Sequence, residues 1–346
     1  MAELVDTVQD LAVESQQEVS GLGLDVGTGY IVSAKEIHDK VSCISIRDSF
    51  YKIPLSKFNA SLFNTNDMKY VRKGDDVFII GENANSLARM YNDKCSRPLA
   101  SGIINPKERK SAFILKEMFR HVVEKFVKKD ERLVFSIPGP MVNDNTFNVD
   151  YHSMSLTSLI ETFGCDPKPL NEAYAVLLSE LQTSNLTGLG ISFGAGLINC
   201  CFAYKGISLF EFCINKSGDF IDEYASEAIG ESLANMTYIK ENQLDLATDI
   251  IEASREEQAL IYAHKAVITN CINQVKTAFN NGSVNVVEAI PIVISGGTSI
   301  PNGFIDLFRN DFKKSDMPFK VSDFIRASDP LKAVAKGCLV AAQMGL

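Results

Sequence analysis

The sequence lacks the marks of several protein classes. Nowhere in its 346 residues does an apolar run approach the roughly 20 residues needed to cross a bilayer. Basic residues are scarce: 34 Lys and Arg stand against 43 Asp and Glu, a net charge of −9. That balance excludes a general nucleic-acid or anionic-membrane binder, which needs clustered positive charge. No secretory signal and no CxxC pair occurs among the eight cysteines, and Cys200 and Cys201 sit side by side in an apolar segment. The pattern reads as reduced, mostly buried thiols of a cytoplasmic protein, not as a zinc site or disulfide framework. Residues 1–20 contain no Lys or Arg and five acids, which reads as an acidic tail. Leu4, Val8 and Leu11 form a helical stripe there that suits a protein partner, but without a basic face it does not suit a membrane.

What the sequence does contain is a repeated loop. Leu24-Asp25-Val26-Gly27-Thr28-Gly29-Tyr30-Ile31 and Ile191-Ser192-Phe193-Gly194-Ala195-Gly196-Leu197-Ile198 each run an apolar strand into a Gly-x-Gly turn and out along a second strand. Glycine permits the tight turn and close backbone approach, so successive N–H groups can face one anion. Two such loops face to face would clamp a polyphosphate between two halves of a protein. In the first, Thr28 adds a hydroxyl and Asp25 a carboxylate suited to orienting Mg²⁺ or its waters. In the second, Ser192 replaces the carboxylate and Leu197 offers no hydroxyl. A glycine turn alone is common in β-sheets; the repetition is what carries the argument.

The rest of the chain follows the same duplication. Strands are expected near 21–26, 30–37 and 41–47, at 77–81 and 133–138, with helices over 107–129 and 151–163. The programme then restarts with a helix at 171–182, strands at 189–193, 197–204 and 207–214, and a helical region over 219–280. A strand at 292–298, a helix at 302–313, a short strand at 319–321 and a helix at 331–344 complete it. Strands feeding glycine loops, with helices between, indicate an α/β protein of two related lobes around a cleft. The expected division is a first lobe over 21–165, with a smaller insert at 48–106, and a second over 166–346, with an insert at 211–285.

Two further motifs bear on that cleft. Ser295-Gly296-Gly297-Thr298-Ser299 follows a buried strand and precedes a helix, a place where a phosphate or a flat base approaches closely. The same residues also suit a plain strand-to-helix turn. Asn171-Glu172-Ala173 opens a helix, where Glu172 either satisfies the helix amides and dipole or orients a water for attack on a γ-phosphate. Locally the two readings are equal.

Taken in order, these segments resemble the actin, sugar-kinase and heat-shock ATPase superfamily over nearly the whole chain after residue 20. The two hairpins are similar to its phosphate loops and Val293–Ser299 to its adenosine motif. Leu170–Leu178 and Ala333–Ala342 are similar to its two connecting helices. Length and the segment Arg97-Pro98-Leu99-Ala100-Ser101-Gly102-Ile103-Ile104 look most like prokaryotic actins of the MreB and MamK kind. Ser217-Gly218-Asp219-Phe220-Ile221-Asp222-Glu223 also resembles their segment before the nucleotide-facing helices.

The resemblance implies four subdomains of the ribonuclease H-like type, ATP or ADP with Mg²⁺ in the cleft, and self-assembly into filaments. It implies Glu172 and Asp25 as catalytic residues, with Asp25 serving the metal. It implies nucleotide contacts from Gly27, Thr28, Gly29 and Tyr30, and from Ser192, Gly194, Ala195, Gly196 and Leu197. It extends them to Gly218, Asp219, Lys240, Glu241, Gly296, Gly297, Thr298 and Ser299, with Lys240 and Glu241 approaching ribose and base. Ser192, Leu197 and Thr237 depart from the pattern, since relatives usually carry an acid, a threonine and often an acid there. The leading expectation is a filament-forming actin-like protein with slow Mg²⁺-dependent ATP hydrolysis, open to cargo adaptors. A monomeric chaperone-type ATPase module, a small-molecule kinase and a nucleotide-binding scaffold without hydrolysis are the alternatives.

Overall fold

The computed structural model describes residues 21–346 apart from 92, 143, 145 and 283–285; the acidic tail lies outside the described residues. The chain opens with a meander of β1 (Leu22–Val26), β2 (Tyr30–Ile37) and β3 (Lys40–Arg47). A small antiparallel sheet follows, made of β4 (Phe50–Ile53), β5 (Tyr70–Lys73) and β6 (Asp76–Ile80), with helices α1 (Ala60–Thr65) and α2 (Glu82–Met90). Its own core gathers Ile53, Val77, Ile79 and Ala84 under the aromatic rings of Phe58, Phe63 and Tyr70. A two-residue ladder, β7 (Leu99–Ala100) with β8 (Ile103–Ile104), brings the chain back where a loop was expected. Helix α3 (Ser111–Val123), β9 (Arg132–Ile137), α4 (Val149–Glu161) and β10 (Asp166–Asn171) complete the half.

The second half repeats the order with α5 (Glu172–Glu180), then β11 (Gly188–Phe193), β12 (Ile198–Tyr204) and β13 (Ile207–Ile214). Three helices follow: α6 (Gly218–Ile229), α7 (Leu233–Asn242) and α8 (Arg255–Asn281). Helix α8 starts on a capping box in which Ser254 and Glu257 satisfy each other's backbone amides. Residue 211, where the second insert was expected to open, lies inside β13; the helical part begins at Gly218. These helices share one continuous core with the sheet, built on Phe202, Phe279, Phe304 and Phe308. The chain ends with β14 (Ile290–Ser295), α9 (Phe304–Lys313), β15 (Val321–Arg326) and α10 (Ala333–Met344).

The two five-stranded sheets run in the orders β3-β2-β1-β9-β10 and β13-β12-β11-β14-β15. In each, the first strand pairs antiparallel with the hairpin partner and parallel with the next strand, Leu22 opposite Leu133 and Leu189 opposite Ile292. The duplication seen in the loops is therefore a duplication of whole sheets.

Two further elements depart from expectation. Strand β10 was not among the expected strands, and its Pro167 and Pro169 lack amide donors. It is an edge strand, where a missing donor leaves no ladder partner unpaired. The last strand lies at 321–326 and not at 319–321, its charged alternation suiting the half-exposed edge of the second sheet.

The lobes are joined by crossed helices. Helix α5 leaves the first sheet and packs on β11, β12 and β14; α10 leaves the second sheet and packs on β1, β2 and β9. The two helices also pack on each other through small residues. A Cβ added at Gly337 would lie 1.7 Å from the Ala175 carbonyl oxygen, and one at Gly23 would lie 2.1 Å from that of Ala335. Close backbone approach, not turning, is what those glycines supply. Among the described residues no helix is long and apolar enough to cross a membrane.

Candidate functional site

The two glycine hairpins adopt one geometry. Gly27 N donates to Tyr30 O at 3.1 Å, and Gly194 N donates to Leu197 O at 2.9 Å. A Cβ at Gly27 or at Gly194 would lie 2.8 Å from that same oxygen, so a larger residue would open either turn. The loops meet at the base of the cleft. A Cβ at Gly29 would lie 3.3 Å from Ala195 Cβ, and one at Gly196 2.8 Å from Thr28 Oγ1. Thr28 Oγ1 accepts from Gly102 N at 3.1 Å, which ties the turn between β7 and β8 to the first loop. Leu197 fills the other side of that turn: a Cβ at Gly102 would lie 2.1 Å from its Cδ1. The leucine thus has a packing role where a hydroxyl was missed.

Two carboxylates stand beside the loops. Asp25 Oδ1 accepts from Ser136 Oγ at 2.9 Å, and Ser136 Oγ in turn accepts from Val26 N at 2.8 Å. Burial pushes the Asp25 carboxyl up to about 7 against that hydrogen bond. Glu172 accepts from Ser192 Oγ at 2.6 Å on Oε1 and from Asn199 Nδ2 at 2.7 Å on Oε2. Burial, reinforced by the Asp25 charge, pushes Glu172 up to about 8, with the Ser192 bond opposing. Asn171 rather than Glu172 caps α5, accepting from Ala173 N and Tyr174 N, so the capping reading of Glu172 is replaced.

Opposite these groups, Gly296 takes φ +91°, and a Cβ there would lie 2.2 Å from Phe193 O. Only glycine combines that φ with that approach. Thr298 Oγ1 donates to Gly194 O at 2.8 Å, joining this turn to the second hairpin.

A cavity of about 580 Å³ runs through the cleft, lined by Asp25, Gly27, Thr28, Gly29, Tyr30, Glu172, Ser192, Gly194, Ala195, Gly196 and Leu197. Lys240, Glu241, Gly296, Gly297 and Thr298 complete the expected residues that line it. Three expected residues stand behind the wall. Gly218 N donates to Gly194 O, Ser299 Oγ donates to Gly296 O at 2.7 Å, and Asp219 is held by Arg97. Lys240 lines the cavity, but its Nζ is committed to Asp222 at 2.7 Å and to Gly218 O at 2.9 Å. Residues that sequence reasoning missed include Ser136, Gly102 and Arg47. Arg47 carries no local motif; its partner Glu241 lies 194 residues away.

Two duplicated sheets, crossed helices and a cleft between paired glycine hairpins define an actin-like ATPase fold. The family model for Volactin matches residues 21–342, and the chain belongs to the Volactin family. Similar solved structures include a MamK double helical filament, at 15% identity and TM-score 0.70 over 94% of this chain and 98% of that one. MreB5 of Spiroplasma citri bound to ADP matches at 15% identity and TM-score 0.65, over 94% and 96%. The ethanolamine utilization protein EutJ from Carboxydothermus hydrogenoformans matches at 13% and 0.54, over 93% and 89%. No curated protein matches the chain in sequence.

Proposed function

We propose that this chain binds ATP and ADP with Mg²⁺ in the cleft, assembles with its own copies into a cytoskeletal filament, and hydrolyses ATP slowly. The cytoplasm is its proposed place. The observation that carries the reading is the pair of glycine hairpins meeting across the cavity beside Asp25 and Glu172. The filament part is supported by likeness to a MamK double helical filament, and the nucleotide part by MreB5 bound to ADP and a MamK variant bound to AMPPNP.

In this reading the backbone amides of both hairpins hold phosphates, and Gly296 and Gly297 admit the nucleoside. The metal fits the donor set: Asp25 lines the cavity, and burial disfavours its anion, a cost that a cation would relieve. Magnesium, when bound, supplies charge that offsets the phosphate oxygens, and Asp25 would hold its waters. Glu172 orients the attacking water. Both of its oxygens already accept hydrogen bonds and its carboxyl is held high, which favours the protonated form near neutrality and makes it a weak base. That favours slow hydrolysis, and it also favours a second reading, a nucleotide-binding scaffold that does not hydrolyse.

The test is light scattering and electron microscopy with and without ATP, together with single-turnover phosphate release. Filaments with measurable release support the main reading, and filaments without release the second. Protein that neither binds ATP nor assembles sinks both.

A further inference from the structure

Three arginines on the first-lobe side reach the same two helices of the second lobe. Arg47, the last residue of β3, donates from Nη1 and Nη2 to both Glu241 oxygens on α7 at 2.9 and 2.8 Å. Arg97 donates to both Asp219 oxygens on α6, each at 2.8 Å. Arg89 of α2 places its guanidinium carbon 4.4 Å from the centroid of the Tyr238 ring on α7. The Arg47–Glu241 pair is a two-nitrogen fork, which fixes orientation as well as distance, whereas Arg97 reaches both Asp219 oxygens from Nη1 alone. All six residues line a second cavity of about 700 Å³, while Arg47 and Glu241 also line the first. The seam therefore stands between the nucleotide cavity and the outer cleft.

Beside it lies a carboxylate with one oxygen idle. Asp48 is fully buried; its Oδ2 accepts from Leu99 N at 3.1 Å, and Oδ1 has no hydrogen-bond partner among the described residues. Burial holds its carboxyl well above the usual range, with the Arg97 charge acting against that. Leu99 is two residues from Arg97 in the chain, so the arginine is anchored beside Asp48 and travels with it. Asp219 belongs to the other lobe, so any opening of the cleft would carry it away from Arg97.

We infer that the seam is the gate of the cleft, and that Arg97 changes partner as the gate opens, passing from Asp219 to the idle oxygen of Asp48. The exchange keeps a half-buried guanidinium paired in both states and compensates a buried carboxylate in the open one. Two discrete pairings of one cation make the opening two-state. The kinetic consequence rests on the nucleotide reading above; the opening itself does not.

The experiment reads two quantities in the full chain: release of a fluorescent ATP analogue, and the distance between site-specific labels at the exposed positions Ser61 and Glu227 without nucleotide. Asp219→Asn removes the closed pairing, and release is expected to rise about tenfold, equivalent to about 1.4 kcal/mol, with label distances shifted longer. Asp48→Asn keeps an acceptor for Leu99 N but removes the open-state charge, so release is expected to slow severalfold and the long distances to shrink in population. Unchanged or faster release with unchanged distances in Asp48→Asn overturns the exchange. Asp219→Asn without effect on the distances overturns the gate. Wild-type protein that binds no ATP analogue defeats the nucleotide reading alone, and the label distances still decide the gate.

Discussion

Ser192 Oγ lies 2.6 Å from Glu172 Oε1 and donates its proton there. The serine that stands where the resemblance led one to expect an acid thus serves the glutamate directly. In Ser192→Ala, Glu172 keeps only Asn199 and loses one of its two hydrogen bonds, an interaction of about 0.5–1.5 kcal/mol. In the proposed reading turnover is expected to fall about tenfold with nucleotide affinity unchanged, since there Glu172 orients water and does not hold phosphate. Ser192→Asp sets a second carboxylate at that distance, which needs a shared proton or a cation. Steeper magnesium dependence of phosphate release is expected. If both variants hydrolyse like the wild type, Glu172 does not work through Ser192.

The crossed helices give a prediction that does not involve nucleotide. Gly337→Ala would place Cβ 1.7 Å from the Ala175 carbonyl oxygen, against backbone that cannot swing aside. Overpacking of this kind costs about 1–3 kcal/mol and often more, and here it pushes α10 off α5. Urea unfolding should show that loss as a lower midpoint. Gly74→Ala is the control: no atom lies within 4 Å, and only its φ of +61° resists, for about 1–2 kcal/mol.

The particular elements show what a sequence can reveal. Both hairpins were legible because Gly-x-Gly between apolar strands is a local signature, and their common geometry follows from it. Strand β10 was hidden, since Pro167 and Pro169 lack amide donors and suit a strand only at a sheet edge. The role of Ser192 was hidden as well, because Glu172 comes from a helix 20 residues earlier. Arg47 with Glu241 and Arg97 with Asp219 are 194 and 122 residues apart, and a single sequence has no periodicity that couples such positions.

Two buried histidines weaken the fold in acid. His152 Nδ1 accepts from Ile104 N at 3.2 Å, His264 Nδ1 lies 2.7 Å from Leu260 O, and burial pushes both rings down to about 4. Between 6.5 and 4 the unfolded chain binds protons that the native rings refuse. This contribution is whole above pH 6.5 and is lost as pH falls toward 4, on the order of 3 kcal/mol per ring. Urea midpoints measured from pH 7.5 to 5 should fall more steeply for wild type than for His264→Gln. Equal slopes would show that the ring charges freely in the native state.

Lys240 offers the sharpest separation of a structural from a binding role. Its ammonium sits 2.7 Å from Asp222 Oδ2, both side chains are less than a tenth exposed, and Asp222 Oδ1 has no partner among the described residues. Lys240→Met strands that carboxylate, and breaking a buried pair from one side costs about 3–5 kcal/mol. Adding Asp222→Asn removes the stranded charge while Thr237, now 2.8 Å from Oδ2, keeps an acceptor. The double variant is therefore expected to recover most of the lost stability in thermal unfolding. ATP affinity decides the rest. If affinity returns with stability, Lys240 acts by holding Asp222 and the carbonyl of Gly218 behind the second hairpin. If stability returns and affinity stays low, the lysine meets the nucleotide itself.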